Sequence, residues 1–283
     1  MNFIHVFFLA IIQGIAELLP VSSSAHVIFA EKLMGLNPTA PEMTFLLVML
    51  HTGTMFAVIV YFWQAWEKAY FSSWEAFWNI TKFTFFATAA TGVVGITLLK
   101  ILQHIFAGGE TPFEVEQLFD NPYIISTGLA ASGILILLSS RFKETKDGQL
   151  STFRAIIIGA VQGLCLPFRG FSRSGATIST GILLGTNRIR AEEFSFALAV
   201  VLTPVVIAKE FLRMYKAHAL VLADSPASVG LQHFIVPSLF GMVISFLAGF
   251  LALRWLSRWL EQDRWHFFGI YCLAFSAVVF ITR

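Results

Sequence analysis

The sequence predicts an all-α polytopic membrane protein arranged as an inverted-topology repeat, each half one re-entrant helix hairpin plus three transmembrane helices. Three observations predict it. The 283 residues are 57% hydrophobic and only 13% charged, and mean hydropathy is +0.74, far more apolar than a soluble domain of that size. Uncharged runs such as Phe45–Trp63, Phe83–Leu99, Tyr123–Ser140 and Phe234–Leu253 approach or reach the roughly 20 residues a helix needs to cross ~30 Å of hydrocarbon, without the strict alternation of a barrel strand. Finally, two polar, proline-broken stretches open with the same Gln-Gly pair: QGIAELLPVSSSAH at 13–26 and QGLCLPFRGFSRSGAT at 162–177.

Each half is expected to begin with a hairpin. The first apolar piece, 3–18, is too short to span and stops at Leu19-Pro20, because proline donates no hydrogen bond and clashes with the preceding turn. A second piece starts near Ser23, with Ser22, Ser23 and Ser24 as candidate N-caps, and runs to Met34-Gly35, completing a re-entrant hairpin over 3–35. Spans at 43–63, 80–101 and 122–141 finish the first repeat, 1–141. The second repeat, 152–283, has a hairpin over 152–185, interrupted at Pro167 with its returning helix expected from Thr177, then spans at 194–214, 233–253 and 265–282. Three crossings are odd and a re-entrant piece adds none, so the halves must be inverted and their broken helices meet near the midplane.

Charge sets the orientation. Lys68, Lys82, Arg141, Lys143, Lys146, Arg154, Arg188, Arg190, Arg254, Arg258 and Arg264 fall on one side, against the smaller group Lys32, Lys100, Lys209, Arg213, Lys216 and Arg283 on the other. The larger group marks the cytoplasmic side. The 108–120 connection, with Glu110, Glu114, Glu116 and Asp120 and no base, suits the outside, as do both termini and the mouth of the first hairpin. A net charge of +2 with its cations at segment ends speaks for orientation and against nucleic acid as a partner. Cys165 and Cys272 lie in apolar segments without metal-ligand spacing and imply no disulfide. Phe3–Ile12 has the length of a signal-peptide core but lacks a basic start and a small-residue cleavage site, and is read as mature structure.

The chemistry concentrates in the two loops. Each returning helix has its N-terminus inside the membrane, where free amides and the helix dipole attract anions. Ser22 and Ser24 in the first loop, and Ser172, Ser174 and Thr177 in the second, add donors. Arg173 supplies a permanent charge with a planar fork suited to phosphate, while Gly170 and Gly175 allow close backbone approach to a ligand. Glu17 would repel an anion, so it is read either as paired with an arginine across the loop or as a ligand for a divalent cation, with Gln13 one turn earlier offering a neutral oxygen. Ser23 and His26, three apart at a helix start, can share a face, so that His26 takes a proton from Ser23 or from water. His51 and His104 have no such company and are assigned to the core.

On these residues the sequence resembles the bacterial undecaprenyl pyrophosphate phosphatases, the bacitracin-resistance family. Gln13, Glu17, Pro20-Val21-Ser22-Ser23 and His26 match its first motif, and Arg169 to Thr177 its second, with Arg169 where the family has proline. The resemblance implies an inverted-repeat helical fold in the bacterial inner membrane, with a site open to the outer face. It also implies metal-dependent removal of the terminal phosphate of a polyprenyl diphosphate, with Mg²⁺ or Ca²⁺ as the metal. The expected partners are that lipid, the bilayer and a second copy in a homodimer. Ser23, His26, Glu17 and Arg173 are the expected catalytic residues, Ser22, Ser24, Ser172, Arg173, Ser174, Gly175 and Thr177 the phosphate ligands, and Glu17 and Gln13 the metal ligands. The rival is a lipid phosphate flippase or other anion carrier, since broken helices meeting at the midplane also serve transport.

Overall fold

In the computed structural model, residues 2–36, 41–106, 121–142, 148–224 and 232–282 are described, and every element among them is helical. The acidic 108–120 connection and the Asn37-Pro38 turn expected from sequence lie outside the described residues. Helix α1 (Phe3–Leu18) is started by Asn2, whose side chain accepts from the Ile4 amide, and stops where Pro20 cannot continue it. It is followed by α2 (Ser23–Leu33), α3 (Pro41–Tyr70), α4 (Trp74–Phe106) and α5 (Pro122–Ser140). Then come α6 (Thr152–Leu164), α7 (Arg173–Leu183), α8 (Arg188–Asp224), α9 (Gln232–Glu261) and α10 (His266–Ile281). The caps are local and polar: Asn121 for α5, Ser151 for α6, Ser172 for α7 and Asn187 for α8.

Length sorts the helices. Met43–Tyr70, Trp74–Ile105, Pro122–Ser140 and Ile235–Glu261 are long and apolar enough to cross a membrane. With 28, 32, 19 and 27 residues they rise about 1.5 Å per residue, enough to match or exceed ~30 Å of hydrocarbon. The chain is a multi-pass membrane protein. Its surface agrees, since Phe85, Val93, Ile96, Leu247 and Leu251 are all exposed. In contrast α1, α2, α6, α7 and α10 have 16, 11, 13, 11 and 16 residues, shorter than the roughly 20 needed to cross, so the span expected at 265–282 is not among the four. The helices on the predicted spans 43–63, 80–101 and 233–253 run several residues further at one or both ends, because propensity carries them past the apolar stretch into the interface. The second returning helix begins at Arg173 and not at Thr177: Ser172 accepts from the Gly175 amide at 3.2 Å, and this cap starts the helix one turn earlier.

Both broken pairs are held in the interior. Leu18, Leu19 and Val21 at the first break share one buried cluster with Ile178 and Ile182 of α7, Leu253 and Leu256 of α9, and Trp265, Phe268 and Cys272 of α10. The packing of the two halves is reciprocal, with α1 lying along α9 and α6 along α4. Small residues allow it: a Cβ on Gly14 would meet the Ser245 carbonyl oxygen at 2.7 Å, and one on Gly159 the Ala87 carbonyl oxygen at 2.1 Å. Such close backbone approach is how helices pack in lipid, where no hydrophobic force drives them together. Gly159→Ala is therefore expected to lower the thermal unfolding temperature in detergent, by a loss on the order of 1–3 kcal/mol for forced overpacking. Gly92→Ala, with nothing within 4 Å of its new methyl, should be neutral or stabilising. Equal behaviour of the two variants would contradict the packing.

Candidate active site

The two loops meet around one carboxylate. Glu17 sits in the last turn of α1, and Arg173 opens α7; their Oε1 and Nη2 lie 2.8 Å apart with both side chains largely buried. This is the arginine pairing across the loop that the sequence left open. On the other carboxylate oxygen, Ser23 donates from Oγ at 2.6 Å and Gln13 from Nε2 at 3.2 Å. The i, i+4 spacing of Gln13 and Glu17 puts both on one face of α1. The hydroxyl of Ser23, at the first position of α2, reaches back across the break that Pro20 creates.

Arg173 has donors to spare. Its Nη1 is buried and has no hydrogen-bond partner, which makes it one of the costly groups of the interior. It stands at the N-terminal, positive end of α7, beside the hydroxyls of Ser172 and Ser174, which are 3.4 Å apart. Ser174 also donates to the Leu19 carbonyl at 3.3 Å, and the Ser172 amide donates to Ser132 of α5 at 2.7 Å, so the second loop is tied to the first and to a spanning helix. Thr177 faces inward: it donates to the Arg173 carbonyl at 2.8 Å and lies 2.6 Å from the Ser195 hydroxyl, stiffening the first turn of α7 from behind.

One expectation is corrected. His26 is not brought to Ser23. Its Nδ1 lies 2.8 Å from the Ser22 carbonyl and its Nε2 2.6 Å from the Tyr271 hydroxyl, while the ring stacks on Phe275 at 4.1 Å. A carbonyl only accepts, so Nδ1 carries the proton and Nε2 accepts from Tyr271. The helical phase explains the miss, since Ser23 points toward α1 and His26 toward α10. The glycines also let the chain pack closely: at Gly170, with φ +93, an added Cβ would strike the Ile125 carbonyl oxygen at 2.2 Å, and at Gly175 it would crowd Pro20 at 3.3 Å. They allow the loop to press against α5 and against the first break.

His51 was missed. From α3 its Nε2 comes within 3.7 Å of Glu17 Oε2, while its Nδ1 lies 2.7 Å from the Leu47 carbonyl one turn back. The signal available in the sequence was an imidazole inside the uncharged run Phe45–Trp63, a polar group that lipid does not tolerate without a partner. His104, also assigned to the core, is exposed near the end of α4. Ser22 is the remaining surprise. It has φ +67 and makes no cap hydrogen bond, its hydroxyl lying 3.3 Å from that of Ser24 instead. A non-glycine residue held in the left-handed region stores on the order of 1–3 kcal/mol, and its carbonyl is fixed here by His26.

The geometry is that of a helical membrane protein in which two broken helices meet at a buried carboxylate–arginine pair. The sequence profile of the family described as bacitracin resistance protein BacA matches residues 6–278. The chain belongs to that family. It is 61% identical to the undecaprenyl-diphosphatase 2 of Acinetobacter baylyi, over 99% of this chain and 97% of that protein. It is also 31% identical to the undecaprenyl-diphosphatase 2 of Burkholderia thailandensis over 94% and 91% of the two chains, and 29% identical to the undecaprenyl-diphosphatase of a Sulfurihydrogenibium species over 99% of each.

Proposed function

We propose that this chain is an undecaprenyl-diphosphate phosphatase, which hydrolyses the lipid diphosphate to the lipid monophosphate and inorganic phosphate. The observation that carries this reading is the Ser23–Glu17–Arg173 chain, in which a hydroxyl is already hydrogen-bonded to the carboxylate that can take its proton, beside an arginine with an unspent donor. Ser23 attacks the terminal phosphorus and its proton passes to Glu17. The phosphoanhydride bond breaks, and the lipid monophosphate leaves with the bonding electron pair. Water then cleaves the phosphoserine, with Glu17 returning the proton. Once Glu17 is protonated its hold on Arg173 weakens, so the guanidinium charge becomes available to the phosphoryl group as negative charge accumulates there. Ser22, Ser24, Ser172, Ser174 and the remaining first-turn amides of α7 bind the remaining oxygens, Gly175 leaves room beside them with its own amide on the Ser172 cap, and Thr177 holds that turn. His26 acts through Ser22, fixing the strained carbonyl that shapes the loop. A carrier needs the binding groups but not the hydroxyl–carboxylate pair.

The residues also suit a divalent cation, Mg²⁺ or Ca²⁺. Gln13 is 1% exposed beside Glu17, and rotation of its amide presents an oxygen, so the two would supply one charged and one neutral ligand. Among the described residues no group of three His, Cys, Asp or Glu side chains could hold a metal, so phosphate oxygens and water would complete the shell. When bound, the cation neutralises diphosphate charge.

The inverted repeat is supported by the two short helix pairs, 16 and 11 residues against 13 and 11, and by the reciprocal lodging of α1 on α9 and α6 on α4. On that reading the pairs are re-entrant, and the charge distribution places the site toward the outer face of the bacterial inner membrane. Single cysteines at Glu114 and Lys146, with Cys165 and Cys272 removed, should react with an impermeant thiol reagent from opposite sides. Reaction from one side only would remove the six-span topology.

Activity is tested by phosphate release from the diphosphate lipid with pure protein in detergent, where there are no two sides and a carrier has nothing to do. Ser23→Ala and Glu17→Gln should each lower kcat on the order of 10²–10⁴-fold. Their double variant should be no worse than either, because members of one proton-transfer unit are non-additive. His26→Ala should cost less, and its loss should multiply with that of Ser23→Ala; the reverse pattern would return His26 to the reacting hydroxyl. In the same assay, EDTA should abolish release and Mg²⁺ or Ca²⁺ restore it, with Gln13→Leu raising the metal concentration needed. Undiminished turnover in EDTA would take the cation out of the mechanism.

A further inference from the structure

The last turns of α9 carry a feature that phosphate hydrolysis does not use. Leu251, Arg254, Trp255, Arg258, Trp259 and Gln262 bound a recess of about 510 Å³. The spacing is helical, so the two arginines stand one turn apart and the two tryptophans, edge to face with ring centroids 4.8 Å apart, stand beside them. No lining residue is acidic. Arg188 pairs with Asp263, the carboxylate just beyond α9, and no ion pair joins Arg254 or Arg258 to an acid among the described residues. Arg254 lies over the Phe250 ring at 4.7 Å from its centroid, a cation–π contact.

The recess continues into an apolar groove of about 390 Å³, with which it shares Leu251 and Trp255. The groove runs between α9 and α1, past Leu247, Ile244, Ile15 and Ile11. An arginine that merely snorkels to water needs no recess, and a lipid-facing groove needs no arginines. Two unpaired guanidiniums at the mouth of a chain-shaped apolar groove, flanked by indoles that prefer the headgroup level, match one ligand class. We infer that this face binds an anionic phospholipid, its phosphate held by Arg254 and Arg258 and one acyl chain lying along the α9–α1 groove. The site is separate from Glu17 and Arg173, and it does not depend on the phosphatase reading.

Native mass spectrometry of the purified protein in detergent, supplied with phosphatidylglycerol or phosphatidylcholine of matched chains, tests this. Wild type should retain phosphatidylglycerol in preference, and Arg254→Gln/Arg258→Gln should reduce that retention on the order of tenfold or more while leaving phosphate release unchanged. The single variants, expected to lose part of the retention, carry the comparison if the double variant does not fold. Equal retention of the two lipids by wild type, undiminished retention by the variants, or a protein dimer occupying the face in place of lipid would each overturn the inference.

Discussion

A buried contact between residues 156 positions apart, Glu17 and Arg173, joins the two halves of the chain at the break in each short helix pair. Removing two charges from water is expensive, and the pair recovers that cost only if the remaining polar atoms are satisfied. Here they are satisfied unevenly. Glu17 accepts from Arg173, Ser23 and Gln13, whereas Arg173 keeps a buried nitrogen without a partner. The asymmetry has a direction, since the carboxylate is saturated with donors and the guanidinium still lacks an acceptor. On the proposed reading, an incoming phosphate oxygen would supply what is missing and need no new cation to be created.

The surrounding structure serves that arrangement. Pro20 ends one helix and the Ser172 cap begins another beside it, so that a helix N-terminus faces a carboxylate. Cys272 donates to the Pro20 carbonyl at 3.3 Å, and Ser174 adds a bond to the Leu19 carbonyl, which also accepts from the Val21 amide at 2.8 Å, so α10 and α7 both hold the first break. Glycines set the distances. Gly128, Gly170 and Gly175 each bring backbone or side-chain atoms to within about 3 Å of where a Cβ would stand, pressing the second loop between α5 and the first break.

Much of this was legible in the sequence because lipid makes polar residues conspicuous. Glu17, Gln13, Ser23 and Arg173 were selected as costly groups in apolar stretches, and the structure places them within hydrogen-bonding reach of one another. Sequence proximity failed where helical phase decides. Ser23 and His26 are neighbours on one turn, yet their partners lie on opposite sides of α2, at Glu17 and at Tyr271. His51 failed in the other direction: it is remote in sequence from the loops and reaches Glu17 only through the packing of α3, which a spacing rule cannot see. The start of α7 lies one turn before the expected Thr177 because Ser172 caps it there.

The placement of Ser23 carries a final consequence for how attack is organised. A serine hydroxyl hydrogen-bonded to a carboxylate at 2.6 Å is oriented before any substrate arrives, with its proton directed at Glu17 and its remaining lone pairs directed elsewhere. Because the leaving group is itself a phosphate, little general-acid assistance is required, and the barrier depends mainly on alignment and charge neutralisation. Both are built from the same contact. In the proposed mechanism, moving a proton from Ser23 to Glu17 generates the nucleophile and, in the same event, loosens the ion pair that restrained Arg173. On that reading the carboxylate is a switch for the arginine as well as a base for the serine. An imidazole in its place could accept the proton but, being neutral beforehand, could not have held the guanidinium in readiness.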